Sequence, residues 1–243
     1  WNYKCNNNSV LIIFIFVINT KPMMSKKICS FLFMAFLATR CQKKEEKKSL
    51  HTPFITNNDV QPIVKQETDI KKLKQKAEEA LLYNKQNKLN TDFCILIDMS
   101  IHSGLNRFFI WDFKQNNIIE KYLVGHGCGT NSWSSDESAG KAEFSNEDGS
   151  HLSSLGKYKI GARGYSNWGI NVKYIMHGLE ETNSNAVKRV IVFHSWDKMS
   201  DEEVFPKGSP EGWGCPTVSN NVMKIIDLKL KNSAKPVLMW IYN

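Results

Sequence analysis

The chain has 243 residues, 42% hydrophobic and 23% charged, which excludes a disordered chain and fits one ordinary domain with appendages. Its net charge is +8, yet no nucleic-acid-binding motif accompanies the excess, so nucleic acid is not an expected partner. Much of the lysine sits in residues 43–88, where it reads as a solvated basic stalk suited to an anionic membrane surface or cell wall.

Residues 1–22 open on Trp1 and are read as upstream read-through; their apolar run, 10–18, is too short to span a bilayer. From Met23 or Met24 the pattern changes. Lys26 and Lys27 precede an apolar stretch at 28–38, the basic and hydrophobic regions of a secretory signal. Cys41 follows, then Gln42-Lys43-Lys44-Glu45-Glu46, which resembles a bacterial lipoprotein processing site with Arg40 where a small residue is usual. Residues 23–41 are therefore expected to form a signal or lipoprotein-type segment. Cys41 is the expected lipid anchor, and the protein is expected in the periplasm or cell envelope. Residues 42–68, charged and containing Pro53 and Pro62, read as a linker. Over 69–90 the residues Ile70, Leu73, Ala77, Ala80, Leu81 and Tyr83 fall near one helical face, which predicts a helix packing on the following domain.

From residue 91 the period shortens. Residues 93–98, 106–113 and 118–124 read as strands, the last two joined at Gln115-Asn116-Asn117 as a hairpin. A stretch dense in Gly, Ser, Asn and Asp then runs over 125–156, and a loop that long is usually functional or disordered. Strands are predicted near 156–162 and 169–176, a short helix at 185–188 and a buried strand at 190–193. A helix is predicted at 220–230 behind Ser219 as N-cap, and a last strand at 236–242. The sum is a mostly β domain with a few short helices over 91–243.

The chemistry concentrates at two points. Gly214-Cys215-Pro216-Thr217-Val218 presents a thiol on a tight turn, and His194 ends the β-branched run at 190–193. A free thiol is only a few per cent ionised at neutral pH, and an imidazole within reach raises that fraction. The ring's second nitrogen then needs an acceptor, for which a backbone carbonyl serves. The N–H groups of Gly214 and Cys215 are the natural oxyanion donors; Pro216 has none to offer. Cys94 alternates with apolar residues and reads as core. Cys128 sits in the loop, and a Cys94–Cys128 disulfide stays open. His126, Cys128, His177, His194 and Cys215 could in principle hold a metal. There is no HExxH and no CxxC, however, so neither a metal nor a cofactor is expected.

Several short segments, in order, carry a family resemblance. They are Ile97-Asp98-Met99-Ser100, Gly125-His126-Gly127, Phe144-Ser145-Asn146, Gly149-Ser150-His151, Ser153-Ser154-Leu155-Gly156, His177-Gly178-Leu179-Glu180, Val192-Phe193-His194 and Gly214-Cys215-Pro216-Thr217-Val218. Residues 93–242 resemble the L,D-transpeptidase catalytic domain, the YkuD-like group, and in particular its murein L,D-transpeptidase branch. The resemblance implies a compact β-sandwich or barrel and a cysteine acyltransferase with Cys215 as nucleophile and His194 as base. The Ser195 carbonyl would orient the ring. It implies peptidoglycan stem peptides as partners and attack at the L-centre of a diamino acid. The thioester would be resolved by a second stem, by water or by a D-amino acid. His126, Asn146, Ser150, His151, His177 and Trp213 are the candidate substrate contacts, although the 126–156 loop could equally pack on itself. The family usually carries Ser-x-Gly-Cys; here Gly212-Trp213-Gly214-Cys215 lacks the serine, and Ser209 lies nearby. An L,D-carboxypeptidase using the same dyad and an inactive wall-binding lipoprotein are the alternative readings.

Overall fold

The structure is a computed structural model that describes residues 65–243. The read-through, the signal segment, Cys41 and most of the linker lie outside the described residues. Helix α1 spans Ile70–Gln86 and starts where the Asp69 carboxylate accepts the Lys72 N–H at 2.9 Å. Its buried stripe is Leu73, Ala77, Ala80 and Asn84; Ile70, placed on that face by the sequence, is exposed in the first turn. The helix stops short of residue 90 because Asn87 caps it through the Tyr83 carbonyl and Lys88 turns to φ +57°. Among the described residues no helix is long and apolar enough to cross a membrane.

Eight strands follow: β1 Phe93–Asp98, β2 Phe108–Asp112, β3 Asn117–Tyr122, β4 Gly156–Tyr165, β5 Val172–Gly178, β6 Val192–Ser195, β7 Thr217–Val218 and β8 Leu238–Tyr242. They form one sheet in the order β3-β2-β1-β8-β4-β5-β6-β7, parallel only at β1–β8 and β6–β7. Just beyond β3, the Gly125 N–H donates to the Thr217 carbonyl at 2.8 Å. That bridge ties the chain leaving one edge strand to the other, and the sheet nearly closes into a barrel.

The central strands are buried on both faces, which requires apolar residues at every position rather than at alternate ones. Ile95, Ile97, Phe108, Ile110, Met239 and Ile241 point into the barrel with Phe193 and Val218. Cys94, Leu96, Phe109, Trp111, Leu238 and Trp240 point outward, against Leu73, Ala77 and Ala80 of α1. Helix α2, Asn220–Lys231, begins where the Ser219 hydroxyl accepts the Val222 N–H, and Val222, Met223 and Ile226 extend the inner core.

Two predicted elements near residue 190 change, and the cysteine pairing left open by the sequence is decided. The helix at 185–188 is absent: a single 3-10 turn, Glu181–Asn183, comes earlier and turns follow it. The strand at 190–193 begins only at Val192, because Val190 adopts φ +56° and is exposed. Cys94, Cys128 and Cys215 are all free, so the Cys94–Cys128 disulfide does not form.

Candidate active site

Strands β6 and β7 are too short to hold much core, but they bring two distant segments together. His194 pairs with Thr217 in parallel register, and the His194 N–H donates to the Pro216 carbonyl at 3.5 Å. Cys215 precedes Pro216, two residues before β7 begins, and it lines the same cleft as His194.

The histidine ring is buried, and its Nδ1 lies 2.9 Å from the Ser195 carbonyl oxygen. A carbonyl only accepts, so Nδ1 carries the proton and Nε2 keeps a free lone pair. Burial pushes the His194 pKa below the ordinary histidine value, against the opposing pull of the Ser195 carbonyl. The Ser195 hydroxyl accepts the Ile170 N–H at 3.0 Å and pins the end of β6.

The Cys215 thiol is half-buried, with the Val192 N–H directed at Sγ at 3.4 Å and the Val190 carbonyl 3.9 Å away. Burial pushes the thiol pKa up, while the Val192 N–H and the charges of Arg189 and Lys173 pull it down. No hydrogen bond joins Sγ to the His194 ring in this resting arrangement. The pair therefore rests as thiol and neutral imidazole, a geometry that commonly tightens only around substrate.

The turn before the thiol depends on glycine. Gly214 sits at φ +96°, and a Cβ there would lie 2.5 Å from the Leu152 carbonyl oxygen. Among the described residues, the N–H groups of Gly214 and Cys215 donate to no protein acceptor. The Gly214 carbonyl accepts the Ser153 hydroxyl at 3.1 Å, and that hydroxyl accepts the Gly127 N–H at 3.1 Å. Ser153 thus holds the Gly214-Cys215 turn from the opposite loop. Ser209 does not replace the missing serine, since its hydroxyl is buried and spent on the Ser103 carbonyl at 2.7 Å.

Gly212 differs from Gly214: nothing approaches its ideal Cβ closer than the His126 carbonyl oxygen at 4.0 Å. We expect Gly212→Ser to fold normally and keep activity within about threefold. We expect Gly214→Ala to lose about 2 kcal/mol of stability or more through strain and overpacking. Urea unfolding of the two variants side by side checks this, and equal losses would refute the distinction.

Two clefts flank Cys215. One, of about 100 Å³, is lined by Trp133, Trp168, Trp196 and Trp213 together with His194 and Thr217. The rings of Trp133 and Trp196 lie 4.9 Å apart, and the Lys198 ammonium sits 4.8 Å from the Trp133 ring. The other, of about 310 Å³, runs past Lys173, Arg189, Val190 and Val192 and contains no carboxylate.

The candidate substrate contacts divide. Trp213 is exposed and lines both clefts, and His151, also exposed, stacks on it with centroids 5.5 Å apart. Ser150 lies one shell back, donating to the Glu147 carbonyl and accepting from Arg189. Asn146 is a loop staple, because its amide and carbonyl groups are spent on Glu181, Ser184 and Asn185. His177 lines a different cavity with Lys159 and Lys235, away from the thiol.

His126 cannot touch substrate, since its ring is fully buried. Arg107 Nη2 donates to its Nδ1 at 2.8 Å, so Nε2 donates to the Ser138 hydroxyl at 2.9 Å, which in turn donates to Glu211 at 2.8 Å. Burial pushes the His126 pKa down to about 3 and that of Arg107 down to about 9, so at neutral pH the ring is neutral and the guanidinium charged.

Sequence reasoning missed Arg189. It donates to the Ser145 and Leu152 carbonyls and the Ser154 hydroxyl at 2.6–2.8 Å, so it organises the 145–154 loop while lining the cleft that holds Cys215. Val190, a β-branched residue at positive φ, turns the chain between Arg189 and Val192. Neither had a local signal, because both depend on what folds against them. Among the described residues no group of three or more His, Cys, Asp or Glu is placed to hold a metal ion.

A family model described as the L,D-transpeptidase catalytic domain matches residues 64–242. Among solved structures, the chain is similar to Bd1075 of Bdellovibrio bacteriovorus at 16% identity and TM-score 0.37, covering 64% of this chain and 49% of that one. An L,D-transpeptidase from Xylanimonas cellulosilytica matches at 10% identity and TM-score 0.36, with 62% of this chain and 60% of that one covered. The helical cell shape determining protein Pgp2 from Campylobacter jejuni matches at 12% identity and TM-score 0.38, with 62% and 47% covered. The matches span between about half and three-fifths of those solved chains. No curated protein matches the chain.

Proposed function

The chain belongs to the L,D-transpeptidase catalytic-domain family, and we propose that it is a cysteine acyltransferase acting on peptidoglycan stem peptides, with Cys215 as nucleophile and His194 as base. The observation that carries this reading is the turn at Gly214-Cys215. A thiol opens there on a cleft shared with an imidazole whose Nε2 is free, beside two backbone N–H groups without protein acceptors. The thiol proton passes to His194 Nε2, and Sγ attacks the carbonyl carbon of the diamino acid's L-centre. Negative charge gathers on the carbonyl oxygen, where the Gly214 and Cys215 N–H groups receive it. As the carbon–nitrogen bond breaks, the imidazolium gives its proton to the departing D-Ala amine. An amine on a second stem then attacks the thioester, His194 takes the surplus proton, and a 3–3 cross-link forms as Sγ leaves.

Ser153 holds the Gly214 carbonyl, so the missing serine at 212 is not in itself a reason to read the chain as inactive. We place the protein in the cell envelope, exported and tethered through a lipid on Cys41. The test is incubation of the protein with a stem tetrapeptide and a diamino acceptor, followed by mass spectrometry. Released D-Ala with cross-linked product is expected. Tripeptide alone would assign the L,D-carboxypeptidase activity, and no release of D-Ala would overturn the reading.

A further inference from the structure

The larger cleft beside Cys215 is lined by charge of one sign only. Its lining includes Lys173 and Arg189 with Ser166, Asn167 and Trp168, and no Asp or Glu. The two cations are not equivalent. Both terminal nitrogens of Arg189 are spent on the 145–154 loop, so the guanidinium is fixed and only its field reaches the cleft. Lys173 stands on β5 in register with His194, and its stem lies across Gly164 on β4, where a Cβ would come within 3.7 Å of the lysine Cε. No hydrogen bond or ion pair engages its ammonium among the described residues. By contrast, Lys72, Lys157 and Lys229 each meet a carboxylate within 3.1 Å. An unengaged ammonium in a cleft without carboxylates, on the wall that carries the base, is arranged to receive an anion.

We propose that Lys173 is a specificity-determining residue that binds the free C-terminal carboxylate of the donor peptide, so that the cleft selects chains ending one residue beyond the scissile bond. This rests on the acyl-transfer reading above. In that reaction the leaving residue carries the carboxylate, and an ion pair to it seats the scissile carbonyl over Sγ. A donor whose terminus is amidated or extended by another residue presents no carboxylate one residue beyond the scissile bond.

Binding can be tested separately from turnover. The affinities of a stem tetrapeptide and of its C-terminal amide are measured by calorimetry on Cys215→Ala, alone and combined with Lys173→Met or Lys173→Arg. We expect the free acid to bind about tenfold more tightly than the amide, the strength of one partly desolvated charge-assisted contact. Lys173→Met should cut that ratio to about twofold by weakening the acid, and Lys173→Arg should restore most of it. Equal affinities for acid and amide, or a ratio that survives Lys173→Met, would overturn the proposal. Turnover of the tetrapeptide by the unsubstituted protein is measured alongside. A preserved acid-over-amide ratio without turnover would leave the carboxylate subsite standing and remove the acyl-transfer reading instead.

Discussion

Cys215→Ala will form no covalent adduct with a carbapenem, an acylating agent expected to label the nucleophile of this family, while the unsubstituted protein gains one acyl group. His194→Ala will still be labelled, but about 10²–10⁴-fold more slowly, the usual contribution of a positioned general base. The pH dependence separates this site from one that holds a ready-made thiolate–imidazolium pair. Burial pushes the Cys215 thiol up and the His194 ring down, so both groups are uncharged at neutral pH. The labelling rate should therefore climb from neutral pH into the alkaline range as the thiol ionises, with no plateau in the acid range where an ion pair would already be formed. Intact-mass time courses from about pH 5.5 to pH 9.5 measure it. A flat profile below pH 7 would mean that the dyad is pre-ionised before any acyl donor binds. Labelling that persists in Cys215→Ala would remove the nucleophile assignment altogether.

What could be read from the sequence follows from how local each signal is. The strand Phe93–Asp98 and the helix behind Ser219 came out nearly to the residue, because an unbroken apolar run and an N-cap are short-range features. Cys215 and His194 also stood out, one in a glycine–proline turn and the other at the end of a β-branched run. That they line one cleft is a product of topology: it needs β7, a two-residue strand too short to show any period, to pair with β6. His126 shows the opposite failure. In a glycine-flanked loop it resembles a substrate contact, but an arginine nineteen residues earlier and a glutamate eighty-five residues later draw it into the interior. Burial of a polar side chain is decided by partners that no sequence window contains. The roles of Arg189 and Ser153 were missed for the same reason, since each holds backbone carbonyls that folding brings to it.

The buried partner of His126 is the residue with the largest expected effect on stability. Glu211 has no exposed surface, and its carboxylate accepts the Ser138 N–H at 2.6 Å, the Ser138 hydroxyl at 2.8 Å, the Ser135 hydroxyl at 3.2 Å and Asn131 Nδ2 at 3.3 Å. Its backbone pairs with Ser134 and Ser135, and the next residue, Gly212, pairs with His126 and Cys128. One side chain therefore gathers the 131–138 loop onto the segment that ends in Cys215. Removing it leaves four donors without their acceptor and takes a nearby negative charge from the field of the buried Arg107 guanidinium. Glu211→Ala should cost about 3–5 kcal/mol, the range for breaking a buried charged network from one side. Glu211→Gln keeps the shape and one acceptor oxygen, and should cost about 1–3 kcal/mol. Because the 131–138 loop also carries Trp133, both variants should lose carbapenem labelling in the same order as they lose stability. The comparison must be made at a temperature where each is still folded by circular dichroism. A Glu211→Ala protein within 1 kcal/mol of the parent in urea unfolding would show that the loop is held by its backbone bonds alone. The labelling of Cys215 would then have to be independent of this network.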